Sequence, residues 1–207
     1  MGKKNISPAV LSRLPTYLSY LKTLPEGTQY ISATGIAKAL AMGEVSVRKD
    51  LSAICDIGRP KVGYAVSELT EVIESFLGYN RMDTAIIAGA GKLGRALLDY
   101  DGFREYGISL TAAFDSNPSL WGKTDSGKPI LDIAQMPVFC RENNVHVGII
   151  AVPADSAQDI CDQMAACGIC AIMNFAPLHL LSPPGVIIKN ENIATSLAQL
   201  CKSAAEI

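Results

Sequence analysis

The sequence predicts an α/β protein with a helix-rich N-terminal module followed by a doubly wound parallel sheet. Three observations predict this fold. Apolar residues recur at helical spacing through most of residues 1–80, a glycine-rich turn follows an apolar run at residues 84–88, and short apolar runs then alternate with helical segments. We therefore expect two domains, residues 1–80 and 81–190, with residues 191–207 forming a C-terminal helix.

The composition fits a globular protein, and its charge is unevenly distributed. Of 207 residues, 49% are hydrophobic and 18% are charged. Residues 1–63 carry nine basic against four acidic residues, or +5, so the remainder of this chain of net charge −2 carries −7. A basic module suits a partner that carries phosphates. Because the chain lacks an apolar leader and a run of ~18 apolar residues, we expect a cytoplasmic protein with no membrane partner.

The first module has the pattern of helices joined by short turns. A helix is expected over residues 8–24, where leucines recur at helical spacing. Ser32 is placed to cap a second helix, Gly43 to end it, and a third helix is expected over residues 44–54. The apolar residues of this third helix recur at i, i+4 and i+7, so its other side faces outward. The outward side carries Ser46, Arg48 and Lys49.

Two helices separated by a breaker, the second with a cationic outer face, outline a helix-turn-helix. Residues 56–64 follow as a turn-rich basic segment, typical of a β-hairpin wing from which Arg59 or Lys61 would reach a minor groove. The sequence therefore predicts a winged helix-turn-helix that binds double-stranded DNA. The alternative is a surface helix and a loop with incidental lysines. A further helix over residues 67–77, capped by Ser67, ends the module.

The glycine-rich turn has the pattern of a dinucleotide-binding site. Gly89 permits a tight turn, Gly91 lets the backbone approach a pyrophosphate, and Gly94 lets the next helix pack closely on the strand. A helix over residues 92–100 would direct its free N–H groups at the phosphates. The alternative is a tight turn with no ligand. The residues predicted to bind a cofactor here are Gly89, Ala90, Gly91, Lys92, Leu93 and Gly94.

Asp115 ends the next apolar run, where a carboxylate would accept hydrogen bonds from the adenosine ribose. Since a carboxylate repels a 2′-phosphate, NAD(H) is favoured over NADP(H). Later apolar runs end at Val152-Pro153 and at Asn174-Phe175. The carboxyl ends of parallel strands meet at one edge of a sheet, so we expect these residues to line a single crevice in a Rossmann sheet.

Other chemistries are possible from the residues, but they fit less well. Cys167 and Cys170 form a C-x-x-C pair, yet no second Cys/His pair is near, so we expect two half-buried residues and no metal. An oxidoreductase would need a proton donor beside the nicotinamide. We expect His146 inside a buried strand and His179 at the mouth of the crevice. With no room for a substrate domain, we expect a protein that is not an enzyme.

Several stretches in a specific order resemble the Rex family of bacterial redox-sensing transcriptional repressors over nearly the whole chain. They are Arg13-Leu14-Pro15-x-Tyr17, Val47-Arg48-Lys49-Asp50-Leu51, Val62-Gly63-Tyr64, Gly94-Arg95-Ala96-Leu97, Ala113-Phe114-Asp115 and Asn174-Phe175-Ala176-Pro177. The resemblance implies a homodimer with winged-helix domains, Rossmann domains that bind NAD(H), and C-terminal helices swapped between subunits. It also implies binding of palindromic operator DNA when NADH is low and release when NADH rises.

The resemblance also implies roles for individual residues. Arg48 and Lys49 would contact the major groove and the DNA backbone, and Arg59 the minor groove. Arg13 and Tyr100 would belong to a network that links the nicotinamide pocket to the DNA-binding domains. Ile193, at the start of the last helix, would enter the partner's nicotinamide pocket.

The chain departs from the family pattern at two of its predicted site residues. Asn192 stands where an acidic residue is usual and cannot form a charged pair with Arg13. Lys61 stands where glycine is usual. An alternative is therefore a related module that has lost DNA or nucleotide recognition, or that takes another adenine ligand such as CoA. From the residues alone, the last helix either closes its own domain or docks on a second subunit.

Overall fold

The computed structural model describes residues 6–205 of the chain. These divide into two compact units, with the division between Arg81 and Met82. Each unit contains its own cluster of buried apolar side chains. In the part of the chain that is described, no helix is long and apolar enough to cross a membrane.

The first unit contains four helices. They are α1 (Pro8–Lys22), α2 (Ala33–Ala39), α3 (Glu44–Ile54) and α4 (Val66–Leu77). The Ser32 cap is confirmed, since its Oγ accepts a hydrogen bond from the backbone N–H of Gly35 at 3.0 Å. The Ser67 cap is wrong. α4 begins one residue earlier, directly after a short strand, and Ala65 stands at the N-cap without a side-chain hydrogen bond.

The helices of the first unit converge on one apolar core. Its fully buried side chains come from all four helices, and they are Leu14, Tyr17, Ile36, Val47, Leu51, Leu69 and Ile73. Burying each of the aliphatic side chains in this set, all except Tyr17, stabilises the unit by roughly 1.5–3 kcal/mol. An ion pair between Lys22 Nζ and Glu74 Oε1, 2.7 Å apart, joins α1 to α4 at the surface.

The wing is smaller than the predicted hairpin. Strand β1 (Tyr30–Ile31) pairs with β2 (Tyr64–Ala65), and the turn before β2 is closed by a single antiparallel bridge between Arg59 and Gly63. Gly63 has φ +98°, and a Cβ there would lie 2.4 Å from the carbonyl oxygen of Ile31. Lys61 also has a left-handed backbone, with φ 65°. The turn therefore requires one glycine and holds a lysine where glycine would be at lower energy.

The second unit is built on a seven-stranded sheet. Its strands are β3 (Asp83–Ala88), β4 (Ile108–Asp115), β5 (Gly122–Lys123), β6 (Pro129–Asp132), β7 (Val147–Ile150), β8 (Ala171–Asn174) and β9 (Ile187–Asn190). Their order is β5-β6-β4-β3-β7-β8-β9, and all neighbours are parallel except β5 and β6. The chain moves outward from β3 in one direction and then in the other. The switch point lies at the carboxyl end of β3, where such sheets bind ligands.

Helices cover both faces of this sheet, as a doubly wound fold requires. The covering helices are α5 (Lys92–Asp99), α6 (Met136–Glu142) and α7 (Ala154–Ala166), and a further helix, α8 (Ile193–Ala204), follows β9. Leu98 of α5 packs with Ile87 and Ala113 on one face. Cys140 of α6 and Met164 of α7 pack in the cluster on the other face.

α8 differs from the other long helices because none of its residues is buried. Ile193, Leu197 and Leu200 are 63%, 59% and 65% exposed. These residues share one side of the helix by their i, i+4, i+7 spacing. The single chain thus leaves the apolar face of α8 open to solvent.

Candidate nucleotide cleft and DNA-binding face

Two of the three glycines of the β3–α5 turn have steric reasons to be glycine. Gly89 has φ +98°, and a Cβ there would lie 2.4 Å from the carbonyl oxygen of Ala151. At Gly94 a Cβ would lie 1.9 Å from the carbonyl oxygen of Gly89, so helix and turn touch through backbone. A Cβ at Gly91 would meet nothing within 4 Å. Gly89 and Gly94 thus fix the fold of the turn, and Gly91 leaves its surface open.

A cleft of about 400 Å³ lies beside this turn, at the carboxyl ends of the strands. That volume is within the range of small-molecule sites. The cleft brings together five of the predicted cofactor-binding residues: Gly89, Gly91, Asp115, Val152 and Pro153. Its remaining lining is Phe114, Ser116, Leu120, Ile133, Ala151, Ser156, Asp159, Ile160 and Gln163. Ala90, Lys92, Leu93 and Gly94 belong to the adjoining turn and helix.

One wall of the cleft was missed by the sequence analysis. Ser156, Asp159, Ile160 and Gln163 line it from α7. Their i, i+3, i+4, i+7 spacing places them on one face of that helix. The spacing could be found in the sequence, but which face of α7 meets the cleft depends on packing.

Asp115 holds the turn in place with its carboxylate. Oδ2 accepts a hydrogen bond from the backbone N–H of Ala90 at 2.7 Å, and Oδ1 accepts one from the N–H of Asn117 at 2.9 Å. A carboxylate has about four lone-pair sites, so acceptor capacity remains for a hydroxyl ligand in the cleft. Because the carboxylate is fixed from two sides, it is oriented before any ligand arrives.

Arg95 of α5 stabilises the same turn with two hydrogen bonds. Its Nε donates to the carbonyl oxygen of Ala90 at 3.0 Å, and its Nη2 donates to that of Leu120 at 2.9 Å. The side chain thereby ties the glycine turn to the loop after β4. This bracing role had no counterpart in the sequence analysis.

Asn174 has a different position from the one predicted. Its side chain is fully buried, Nδ2 donates to the carbonyl oxygen of Leu178 at 2.8 Å, and Oδ1 accepts from the N–H of Ala176 at 2.9 Å. The amide therefore holds the loop after β8 and does not line the cleft. Phe175 is half-buried and packs against the apolar cluster on the α5 side of the sheet.

Neither histidine lines the cleft. His146 is exposed and precedes β7, which begins at Val147, so the prediction that it enters a buried strand is wrong. His179 is also exposed, with Nδ1 3.3 Å from Nδ2 of Asn190.

Three of the six cysteines are buried or half-buried thiols with a raised pKa. Burial raises the pKa of Cys140 to about 11, and burial also raises the pKa of Cys161 and of Cys167. These thiols stay protonated at neutral pH and are poor nucleophiles. No group of three or more Cys, His, Asp or Glu side chains in that described part could hold a metal ion.

The outer side of α3 presents the residues predicted to meet DNA. Val47 and Leu51 are fully buried, whereas Ser46, Arg48 and Lys49 are exposed. Arg48 also forms an ion pair with Glu44 one turn earlier. A second cleft, of about 580 Å³, separates α3 from the wing. Its lining includes the cations Arg48, Arg59 and Lys61.

Arg59 is held by an aromatic side chain. Its Nη1 donates to the hydroxyl of Tyr30 at 3.2 Å, and its guanidinium lies 5.7 Å from the centre of that ring. Tyr30 comes from β1, so the strand that pairs with the wing also orients the wing arginine.

Arg13 pairs with a carboxylate that the sequence analysis had given no role. Arg13 Nε and Nη2 donate to the two oxygens of Asp50 at 2.7 and 2.8 Å, and the hydroxyl of Tyr17 donates to Asp50 at 2.6 Å. Asp50 is 3% exposed. Burial alone would raise the pKa of Asp50, but the hydrogen bonds from Arg13 and Tyr17 outweigh it and lower that pKa. The triad anchors α3 to α1.

The other two residues predicted for a switch network are at helix ends. Tyr100 follows α5, is 59% exposed, and stacks edge-to-face on Phe103 with ring centres 5.2 Å apart. Asn192 is the N-cap of α8, and its Oδ1 accepts from the backbone N–H of Thr195 at 2.9 Å. Aspartate caps helices equally well, so asparagine keeps the cap and removes only the charge.

Two family models and several relatives match this chain. The family described as "CoA binding domain" matches residues 80–178, and "Putative DNA-binding protein N-terminus" matches residues 5–52. Redox-sensing transcriptional repressor Rex of Bacteroides fragilis is 41% identical over 189 residues, covering 91% of this chain and 86% of that protein. Rex of Clostridium acetobutylicum is 36% identical over 199 residues, covering 96% and 93%.

Solved structures of a Rex-family repressor, RSP, match as well. RSP in complex with β-NAD⁺ and operator DNA has a TM-score of 0.91 at 33% identity, covering 97% of this chain and 93% of that chain. RSP in complex with β-NADH has a TM-score of 0.86 at 32% identity, covering 98% and 95%.

A helix-turn-helix unit with a cationic outer face, followed by a Rossmann unit with a glycine-lined cleft, defines a two-domain transcriptional regulator. Both the relatives and the solved structures narrow this class to one family. The chain belongs to the Rex family of redox-sensing transcriptional repressors. The resemblance found in the sequence is confirmed, as is the fold class.

Proposed function

We propose that this protein is a homodimeric repressor that binds palindromic operator DNA when NADH is low and releases it when NADH binds. The observation that carries the proposal is the cleft at the switch point, where an open glycine turn faces a fixed carboxylate. The relatives are named redox-sensing repressors, and RSP has been solved with NAD⁺ and operator DNA and with NADH.

In the proposed complex, the cofactor is NAD(H). Gly91 and the N–H groups of residues 92–94 receive the pyrophosphate, since a helix N-terminus favours anions. Asp115 accepts from the adenosine ribose and disfavours a phosphate on it. Val152 and Pro153 form an apolar wall, with Phe175 beyond them and Ile193 entering from the second subunit. This wall prefers the neutral nicotinamide of NADH to the charged ring of NAD⁺.

On the DNA side, α3 enters the major groove and the wing reaches the minor groove. Ser46, Arg48 and Lys49 contact bases and phosphates in the major groove, while Arg59 and Lys61 contact the DNA from the wing. Their exposure and positive charge support this role. Since operator DNA lies in the cytoplasm of a bacterium, the protein acts there.

A second copy of the chain covers the apolar face of α8. Ile193, Leu197 and Leu200 are each more than half exposed in the single chain, which supports a helix swapped between subunits. A two-fold dimer places two α3 helices on two half-sites and so calls for a palindromic operator.

The switch requires NADH to favour one arrangement of the dimer over the other. Arg13, Tyr100 and Asn192 are the residues proposed to report the state of the pocket. Because Asn192 is uncharged, it competes weakly with Asp50 for Arg13. We therefore propose a network in which Arg13 stays with Asp50 in the DNA-binding state. Since neither histidine lines the cleft, no catalytic step is part of the proposal.

One matching family model is described as "CoA binding domain", so CoA is included as a second adenine ligand in the binding experiment. CoA carries a phosphate on its adenosine ribose, which Asp115 would repel. Quenching of protein fluorescence by NADH, NAD⁺, NADPH and CoA should give the tightest binding for NADH. Fluorescence anisotropy of a labelled palindromic duplex with each ligand then tests release. Tighter binding of CoA, or release by CoA alone, would replace the proposed ligand.

A further inference from the structure

The outer side of α3 contains one large apolar side chain. Val45, the second residue of the helix, is 66% exposed and is not part of the core. Val47, two residues later, is fully buried on the opposite side. Arg48 and Lys49 follow Val45 at i+3 and i+4, so all three lie on one face of α3. That face therefore carries an apolar group next to two cations.

A single exposed apolar residue needs no explanation by itself. The position of Val45 indicates a role in DNA contact, because a recognition helix contacts base edges with residues near its N-terminus. Arg48 and Lys49 are suited to phosphates and guanines, but Val45 offers only methyl groups. Among base edges in the major groove, the group that a methyl side chain complements is the C5-methyl of thymine.

The acid next to Val45 supports the same placement. Glu44 begins α3 and forms an ion pair with Arg48. An exposed carboxylate is repelled by DNA phosphates, so the first turn of α3 is better suited to the floor of the groove than to the backbone. Val45 then faces base edges.

We propose that Val45 reads the 5-methyl group of one thymine in each operator half-site. This inference rests on the proposed DNA binding by α3 and adds a specificity-determining residue to it. Thymine is distinguished from cytosine there by an apolar contact, and from uracil by the same methyl group.

The test uses the full-length protein without NADH. A palindromic duplex is first selected from a randomised library, and each thymine of one half-site is then replaced in turn by deoxyuridine. One replacement should weaken wild-type binding by about fourfold, the factor for burying one methyl-sized group. Val45→Ala should weaken binding of the original duplex by a similar factor. Val45→Ala should also be indifferent to deoxyuridine at that position, because the two changes remove the same contact.

Val138→Ala is the matched control, since Val138 is 52% exposed on α6 of the other unit. It should keep wild-type affinity and the same sensitivity to deoxyuridine. Equal melting temperatures of both variants would show that neither change affects folding. The inference is overturned if wild type tolerates deoxyuridine at every thymine, or if Val45→Ala remains sensitive at the same one. If the library yields no preferred duplex, the proposed DNA binding itself fails and the inference falls with it.

Discussion

Arg13 and Asp50 form a bidentate ion pair, with Nε–Oδ2 2.7 Å and Nη2–Oδ1 2.8 Å, between α1 and α3. The pair is asymmetric in exposure, since the side chain of Asp50 is 4% exposed and that of Arg13 is 33% exposed. The orientation of α3 therefore depends on a carboxylate that water barely reaches. The same arginine is a proposed member of the ligand switch.

Replacing Asp50 by Asn should destabilise the first unit. The amide keeps one acceptor oxygen but loses the charge and the second acceptor for Arg13, and burying an imperfectly paired group costs about 1–3 kcal/mol. Chemical denaturation should show the loss as a lower free energy of unfolding. Glu44→Gln is the matched control, because it breaks an exposed pair with Arg48, and such pairs contribute roughly 0–1 kcal/mol. Equal stability of Asp50→Asn and wild type would contradict the anchoring role.

The same carboxylate predicts how stability depends on pH. The pKa of Asp50 is lowered from its ordinary 3.8 in the folded protein. Its contribution is therefore complete above 3.8 and is lost as the pH falls through the lowered value. The stability difference between wild type and Asp50→Asn should be constant near neutrality and shrink below about pH 4. Unfolding curves measured across that range would show a constant difference if Asp50 were unpaired.

Alanine at two glycines of one turn should weaken nucleotide binding in both cases but reduce stability in only one. Gly89→Ala would place a Cβ 2.4 Å from the carbonyl oxygen of Ala151 and should reduce both stability and nucleotide binding. Gly91→Ala meets nothing within 4 Å, so the fold should remain intact. Its methyl group would instead block the pyrophosphate, weakening NADH binding by about tenfold or more. Thermal unfolding and NADH titration of both variants separate the effects; undiminished NADH binding by Gly91→Ala would place the ligand elsewhere.

Lys61 should be replaceable by glycine with a gain in stability. Its φ of 65° is costly for a residue with a Cβ, by about 1 kcal/mol. Lys61→Gly should raise the melting temperature, while loss of a phosphate contact should reduce the salt dependence of DNA binding by about one unit of slope. Asparagine also tolerates a left-handed backbone, so Lys61→Asn is the control that removes the charge without introducing glycine. A lower melting temperature for Lys61→Gly would mean that the lysine side chain stabilises the wing.

Much of the fold follows from local pattern in the sequence. α3 has the predicted bounds, residues 44–54, because its apolar periodicity and the preceding breaker Gly43 agree. β5 was not predicted, since the pair Gly122–Lys123 is too short and polar to show a period and forms only by pairing with β6. His146 was misplaced because the strand that follows it begins one residue later.

The site was less predictable than the fold because its contacts are tertiary. Gly89 could be found because the turn itself dictates glycine there, and Gly91 and Asp115 could be found from their spacing in the motif. Arg13 and its partner Asp50 are 37 positions apart in the sequence. The only sequence feature that points to this pair is that Asp50 is an acidic residue on the inward-facing side of α3. Asn174 lies at a strand end, as predicted, but its amide turns inward to hold a loop.

The most direct test of the account is the release of a preformed operator complex. Labelled palindromic duplex is bound by the full-length protein at fixed salt, because affinity for DNA depends on salt. NADH and NAD⁺ are then added in separate titrations, with Gly91→Ala as the variant that should need about tenfold more NADH, or more, for release. We predict that NADH lowers the anisotropy at concentrations where NAD⁺ does not. Equal release by the two nucleotides, or release of the Gly91→Ala complex at the NADH concentration that releases the wild-type complex, would contradict a redox switch operated through this cleft.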